Sequence, residues 1–88
     1  MKIILTKRAK QDILFWKQNN QKYYTKVLDL IENIKFTPYS GLGKPEPLRY
    51  ELSGYWSRRI NNEHRLVYKL LKSSSTLVIH SCKGHYKN

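Results

Sequence analysis

The stretch from Tyr55 to Cys82, YWSRRINNEHRLVYKLLKSSSTLVIHSC, decides the fold of this 88-residue chain. Apolar and polar side chains alternate along it with a period of two, which is typical of β-strands that bury one face. Polar turns interrupt this alternation at Asn61-Asn62 and at Lys72–Ser75. Together with the residues just before it, the stretch predicts an antiparallel meander of four strands: Leu48–Leu52, Tyr55–Ile60, His64–Leu71 and Thr76–Cys82.

Two helices are predicted upstream of this meander, where the apolar period lengthens. The first helix begins after Thr6, which suits an N-cap, and ends near Gln18, before the polar pair Asn19-Asn20. The second helix spans Gln21–Phe36 and carries one apolar stripe, formed by Tyr24, Val27, Leu28, Ile31 and Ile34. A short strand at Met1–Leu5 precedes both helices.

These elements together predict the fold class. Amphipathic helices need an apolar surface to cover, and the meander offers one. We therefore expect a single α+β domain over residues 1–88, with an N-terminal strand and a two-helix hairpin packed on one face of an antiparallel sheet of four to five strands. Alternation directs Leu66 and Tyr68 toward the helices and places Arg59 and Arg65 on the open face. The planar guanidinium of arginine suits a phosphate backbone.

Composition indicates a cationic protein whose first expected partner is nucleic acid. Lys and Arg number 17 against 6 Asp and Glu, which gives a formal net charge of +11. Such a charge favours nucleic acid, then an acidic protein, then an anionic membrane surface. The acids show no recognisable metal spacing, so we expect no metal and no cofactor. The lone Cys82 and the absence of a long apolar run favour a cytoplasmic protein.

The segment Thr37–Pro47, TPYSGLGKPEP, is predicted to be a loop because it holds three prolines and two glycines. Glu46 stands in it between Pro45 and Pro47, which restrict the backbone as the positioning of a general base requires. A solvated loop acid beside basic neighbours is the other interpretation of Glu46.

The last residues, Lys83–Asn88, contain a histidine-tyrosine pair, His85-Tyr86. Histidine exchanges protons near neutral pH, so His85 is a candidate acid or base if the tail folds back over the open face. A frayed terminus is the alternative. His80, Cys82 and His85 have the spacing H-x-C-x-x-H, but no fourth ligand is nearby, so we expect no structural zinc site.

The segment Gly41–Tyr68, GLGKPEPLRYELSGYWSRRINNEHRLVY, together with the terminal His-Tyr pair, resembles the YoeB (Txe) toxins of the RelE/ParE superfamily. The resemblance extends from the opening MKI through both helices, and so covers nearly all of the chain. Members of this family are ribosome-dependent endoribonucleases of bacterial type II toxin-antitoxin modules, with a RelE-like microbial RNase fold. The tail departs from the family pattern by continuing two residues past the tyrosine, through Lys87 and Asn88.

The resemblance implies a role for each residue of the site. Glu46 corresponds to the general base that takes the proton from a ribose 2′-hydroxyl, Arg65 to the arginine that stabilises the transition state, and His85 to the general acid. Tyr86, beside this histidine, is the fourth expected catalytic residue. The residues expected to hold the RNA are Lys44, Arg49, Arg58 and Arg59. The expected products are a 2′,3′-cyclic phosphate and a 5′-hydroxyl.

The resemblance also implies partners. These are mRNA in the A site of the 70S ribosome, an acidic YefM-like antitoxin and a second copy of the chain. Two other functions on the same fold stay open at this point. One is a non-nucleolytic toxin such as a ParE-like gyrase inhibitor, and the other is an RNA- or ribosome-binding module without catalysis.

Overall fold

The computed structural model describes residues 1–85, and Tyr86, Lys87 and Asn88 lie outside this described part. The elements, in chain order, are β1 (Lys2–Leu5), α1 (Lys7–Asn19), α2 (Gln21–Phe36), β2 (Glu46–Pro47), β3 (Trp56–Arg59), β4 (Arg65–Leu71) and β5 (Thr76–Ser81). Single 3₁₀ turns occur at Tyr50–Leu52 and Lys72–Ser74. Within residues 1–85, neither helix has the length and apolar character that a membrane span needs.

The strands form one sheet in the order β1-β5-β4-β3-β2. The predicted α+β fold, with two helices on a sheet of five strands, is confirmed. The sheet is mixed rather than wholly antiparallel, because β1 pairs parallel with β5, from Lys2↔Thr76 to Leu5↔Ile79. Parallel neighbours need a long crossover connection, and here the helical hairpin and the three strands after it supply one.

Two polar side chains set the helix boundaries as predicted. The Thr6 hydroxyl oxygen accepts from the Ala9 amide at 3.0 Å, which caps the start of α1. Asn20 serves both helices. Its amide donates to the Trp16 carbonyl at 2.8 Å, which ends α1, and its side-chain oxygen accepts from the Tyr23 amide at 3.1 Å, which begins α2.

The core lies between α2 and one face of the central strands. The predicted apolar stripe is correct at Val27, Ile31 and Ile34, which are buried, but wrong at Leu28, which is 42% exposed. Leu30 takes its place, because the spacing 27, 30, 31, 34 follows one helical face and residue 28 lies about 100° from residue 27. Across the interface, the buried sheet residues are Leu66, Tyr68, Leu77 and Ile79.

The predicted strand at Leu48–Leu52 is wrong, whereas the three later strands are confirmed to within one residue at each end. Tyr50 has a positive φ of 58°, which turns the chain into a 3₁₀ turn and ends any extended run. The edge of the sheet is formed instead by β2, in which Glu46 pairs with Ser57. Glu46 therefore belongs to a strand and not to an unpaired loop.

Candidate active site

Three of the predicted site residues share one face of the sheet. Arg59 on β3 lies directly opposite Arg65 on β4, and Glu46 on β2 lies directly opposite Ser57, two residues before Arg59. Direct partners across an antiparallel ladder point to the same face, as do residues two apart on one strand. Glu46, Arg59 and Arg65 therefore project from the same side of the sheet, away from the helices.

The charges of these three residues act on one another. Partial burial and the positive charge of Arg59 lower the pKa of Arg65 from its ordinary value, and the charge of Glu46 opposes this shift. A guanidinium keeps its proton through such changes at neutral pH. The site therefore combines one acidic side chain with two permanent cations.

Close backbone contacts set the position of Glu46. The Arg59 amide donates to the Gly43 carbonyl at 2.7 Å, which ties the loop to β3. Gly43 has a φ of +81°, and a Cβ there would lie 3.1 Å from the Arg59 carbonyl oxygen, so this approach requires glycine. Lys44 follows with a φ of 52°, after which the chain enters β2 at Glu46.

One nitrogen of the Arg65 side chain is bonded to two backbone carbonyls. Its Nη1 donates to the carbonyls of Asn61 at 2.7 Å and His64 at 3.2 Å. In the part of the chain that the structure describes, Nε and Nη2 of Arg65 have no acceptor. These two nitrogens can therefore donate to an oxyanion in the forked geometry that phosphate favours.

The end of the described chain brings His85 to the start of β4. The Gly84 carbonyl accepts from the Arg65 amide at 2.8 Å, and the Gly84 amide donates to His64 Nδ1 at 3.0 Å. His85 follows directly and is exposed. Tyr86, the fourth expected catalytic residue, lies outside the described residues.

The prediction that Arg58 binds RNA does not fit the structure, because the Arg58 side chain is fully buried. Its Nε donates to the Tyr68 hydroxyl at 3.2 Å, and its Nη1 to the Asn33 side chain. Three further bonds go to loop carbonyls, those of Thr37, Ser40 and Leu42. Arg58 therefore holds the loop in place from inside the protein, because it lies opposite Leu66 on the core face of the sheet.

The other expected RNA-binding residues lie around Glu46. Lys44 and Arg49 are exposed on either side of β2, and Arg59 is half-buried on β3. A surface pocket beside them is lined by Glu46, Pro47, Leu48 and Arg49. The structure thus places three of the four expected RNA-binding cations near the acid and removes the fourth, Arg58, to the interior.

Sequence reasoning missed the polar groups of α1 that contact the C-terminal residues. Asp12 is only 6% exposed, and its Oδ2 accepts from the Cys82 amide at 3.0 Å. Trp16 Nε1 donates to the Cys82 carbonyl at 2.8 Å. A signal was available, since Asp12 lies three residues after Ala9 and four before Trp16, on the buried helix face, where an acid needs a partner.

The described residues form no metal site. Among residues 1–85, no three His, Cys, Asp or Glu side chains lie close enough together to hold an ion. Burial, and secondly the charge of Asp12, raise the pKa of the Cys82 thiol to about 12. This thiol therefore stays protonated at neutral pH, and a thiol must lose its proton to ligate a metal.

The solved structures similar to this one include bacterial toxins. The YoeB/ParE toxin from Agrobacterium tumefaciens is 45% identical, with a TM-score of 0.94 over 98% of this chain and 100% of that one. The YoeB dimer from Staphylococcus aureus is 40% identical, with a TM-score of 0.89 over 98% of each chain. A chain of a YoeB-YefM complex from Staphylococcus aureus is 41% identical, with a TM-score of 0.87 over 98% of each chain.

Sequence comparison gives the family. The profile of a family described as "YoeB-like toxin of bacterial type II toxin-antitoxin system" matches residues 5–86. Toxin YoeB of Synechocystis is 48% identical over 87 residues, which are 99% of this chain and 99% of that protein. The chain belongs to the YoeB-like toxins of type II toxin-antitoxin systems, and the resemblance seen in its sequence is confirmed.

Proposed function

We propose that this toxin is an endoribonuclease that cleaves mRNA in the ribosomal A site without a metal ion. The observation that carries the proposal is the shared sheet face of Glu46, Arg59 and Arg65, with His85 directly after the residue that bonds the Arg65 backbone. This arrangement brings an acid and two cations to one face of the sheet, and the chain leads to a histidine at the start of β4. The proposed products are a 2′,3′-cyclic phosphate and a 5′-hydroxyl.

The proposed reaction is an internal transesterification of RNA. The ribose 2′-oxygen attacks the adjacent phosphorus while Glu46 accepts the 2′-hydroxyl proton. The P–O2′ bond forms as the P–O5′ bond breaks, and His85 donates a proton to the leaving 5′-oxygen. Tyr86, the next residue in the sequence, is the fourth proposed catalytic residue. Negative charge grows on the nonbridging oxygens, where Nε and Nη2 of Arg65 can donate. Because RNA supplies its own nucleophile, a base, an acid and a cation suffice.

Binding of the RNA backbone is assigned to Lys44, Arg49 and Arg59. The net charge of +11 should make ribosome binding strongly dependent on salt, because phosphate contacts release counterions. Tyr50, 77% exposed next to Arg49, is available to stack on a base, a contact worth about 1–3 kcal/mol.

We extend to this chain the partners seen in YoeB structures from Staphylococcus aureus, which include a YoeB dimer and a YoeB-YefM complex. An acidic segment of a YefM-like antitoxin would neutralise part of the +11 charge and could cover the face that carries Glu46 and Arg65. The proposed place of action is the cytoplasm, where ribosomes and mRNA meet.

The test is to add purified protein to 70S ribosomes programmed with a defined mRNA and to map the new 3′ ends. We expect one cut in the A-site codon that ends in a 2′,3′-cyclic phosphate, and no cut when the attacking ribose is 2′-deoxy. Folded wild-type protein that yields no cut would contradict the proposal. Inhibition of DNA gyrase by that protein would then favour a ParE-like toxin, and arrested translation without new ends would favour a binding module.

A further inference from the structure

The C-terminal segment, defined here as Cys82–Gly84, is held by side chains from the opposite end of the chain. Both polar backbone atoms of Cys82 are bonded to α1, the amide to Asp12 at 3.0 Å and the carbonyl to Trp16 at 2.8 Å. The Lys83 carbonyl accepts from Arg8 Nη2 at 3.0 Å. Helix α1 therefore fixes the first two residues of this segment.

The third residue of the C-terminal segment, Gly84, is fixed by His64 and by Arg65, the first residue of β4. The Gly84 carbonyl accepts from the Arg65 amide at 2.8 Å, and the Gly84 amide donates to His64 Nδ1 at 3.0 Å. Gly84 has a φ of +101°, a conformation that strains other residues. Five hydrogen bonds thus hold three consecutive residues, and the last of them is the residue before His85.

The His64 ring that makes this contact is itself held in place. It packs edge-on against Trp16, with ring centroids 4.8 Å apart, and lies 6.3 Å from the Tyr23 ring. Because Nδ1 accepts the Gly84 amide, it carries no proton, and Nε2 faces Glu63 at 3.6 Å. Because the orientation of the His64 ring is fixed and its Nδ1 accepts the Gly84 amide, the ring can hold Gly84 in one position.

We propose that His64 is a positioning residue, which fixes the C-terminal segment so that His85 is held at the scissile phosphate. The inference rests on the proposed function, since it assigns to His85 the transfer of a proton. A histidine on an unattached segment would reach the leaving oxygen in only a small fraction of its conformations. Holding the preceding residue against β4 removes most of that freedom before the substrate binds.

Asp12 and Arg8 extend the same role from α1. Asp12 Oδ2 accepts from Arg8 Nε at 3.3 Å as well as from the Cys82 amide, and Arg8 in turn reaches the Lys83 carbonyl. This chain of bonds links the helix surface to the residue two positions before His85. The C-terminal segment is therefore held against helix α1 up to the residue before Gly84.

Two substitutions at position 64 separate the acceptor from the ring. His64→Phe keeps a ring against Trp16 but removes the acceptor, whereas His64→Asn removes the ring but offers an amide oxygen near the position of Nδ1. We expect His64→Phe to lower kcat for cleavage on programmed ribosomes about 30-fold, with KM within about twofold, since misplacement of a reacting group by about 1 Å can cost 10²-fold. His64→Asn should recover most of this loss.

Two further measurements identify the role as one of positioning. Amide exchange at Gly84 should accelerate in His64→Phe and stay slow in His64→Asn, while both variants unfold cooperatively. In a double-mutant cycle, His64→Phe should add little to the defect of His85→Gln, because both changes remove the same proton transfer.

Several outcomes would overturn the inference. These are a wild-type kcat in His64→Phe despite rapid Gly84 exchange, a change confined to KM, or additive losses with His85→Gln. Slow Gly84 exchange in His64→Phe would also overturn it, because the contact would then not depend on the acceptor. Failure of the wild-type protein to cleave would count against the proposed function, and the exchange measurements would still test the contact itself.

Discussion

The proposed base and the proposed acid are held in place by different means. Glu46 is positioned from nearby in the sequence, by the loop at 37–47, which Gly43 ties to β3 and Arg58 supports from inside. His85 is positioned from far away, by a bond between Asp12 and Cys82 that spans 70 residues and by the ring of His64. The two halves of the site meet at Arg65.

The comparison shows that one site can depend on two separate networks of buried polar groups. On the base side, the fully buried guanidinium of Arg58 donates hydrogen bonds to carbonyls of the loop. On the acid side, the nearly buried carboxylate of Asp12 and the indole of Trp16 form hydrogen bonds with the backbone of the C-terminal segment. A change in one network should therefore disturb its own half of the site and leave the other half in place.

The largest effect is expected at Glu46 itself. Glu46→Gln removes the proton acceptor while keeping the size of an exposed side chain, and should lower the cleavage rate about 10²–10⁴-fold with little change in stability. Single-turnover cleavage on programmed ribosomes measures the effect. Glu51→Gln, at another exposed acid five residues further along the chain, is the control and should cleave like wild type. Retention of full activity by Glu46→Gln would remove the base from the account.

The second effect tests the base side alone. Arg58→Met keeps the aliphatic volume but leaves the carbonyls of the loop without a donor, and should lower the free energy of unfolding by about 3 kcal/mol in urea titrations. Amides of residues 37–44 should exchange faster, whereas the Gly84 amide should keep its protection relative to global unfolding. An equal increase in amide exchange at residues 37–44 and at Gly84 would mean that the two networks are not independent.

The third effect concerns the acid side and its pH dependence. The pKa of the Cys82 thiol is raised from 9.0 to about 12, so the folded protein holds this proton more tightly than the unfolded chain does. The resulting stability is complete below pH 9 and is lost as pH rises toward 12, by about 2 kcal/mol between pH 9 and pH 11. Denaturation of wild type and Cys82→Ala across this range should show the extra loss only in wild type.

The ionisation of Tyr68 does not affect the comparison between wild type and Cys82→Ala. Burial raises the pKa of its phenol too, while the Arg58 hydrogen bond opposes the shift. Its alkaline contribution is present in both wild type and Cys82→Ala, and so cancels in the difference. Parallel pH profiles for the two proteins would contradict the assignment to Cys82.

The smallest effect is expected at the exposed cations beside the base. Lys44→Gln should weaken ribosome binding several-fold and reduce the slope of log affinity against log salt by about 1, while the cleavage rate of bound complexes stays constant. Lys10→Gln, at an exposed position on α1, is the matched control for net charge. Equal losses in both variants would show that Lys44 acts only through total charge.

Sequence predicted the features that depend on neighbouring residues. Thr6 and Asn20 defined the helix boundaries because their side chains bond amides three residues away. Alternation placed Arg59 and Arg65 on one face because a strand repeats every two residues. The shared face of these two arginines was therefore visible before the structure.

Features set by distant residues were not predictable in this way. The left-handed backbone of Tyr50 and the pairing of Glu46 with Ser57 depend on how the loop meets β3. The parallel place of β1 depends on β5, at the other end of the chain. The sequence shows that Asp12 needs a partner, but the partners of Asp12 and His64 are set only when α1 and β4 enclose the C-terminal segment.

The central claim, a base at Glu46 and an acid at His85, is tested most directly by changing the leaving group. An mRNA with sulfur in place of the bridging 5′-oxygen at the cleaved bond needs no acid, because a thiolate leaves without protonation. With these roles, this substrate should restore the cleavage rate of His85→Gln to near that of wild type and leave Glu46→Gln slow. Rescue of both variants, or of neither, would contradict the assignment.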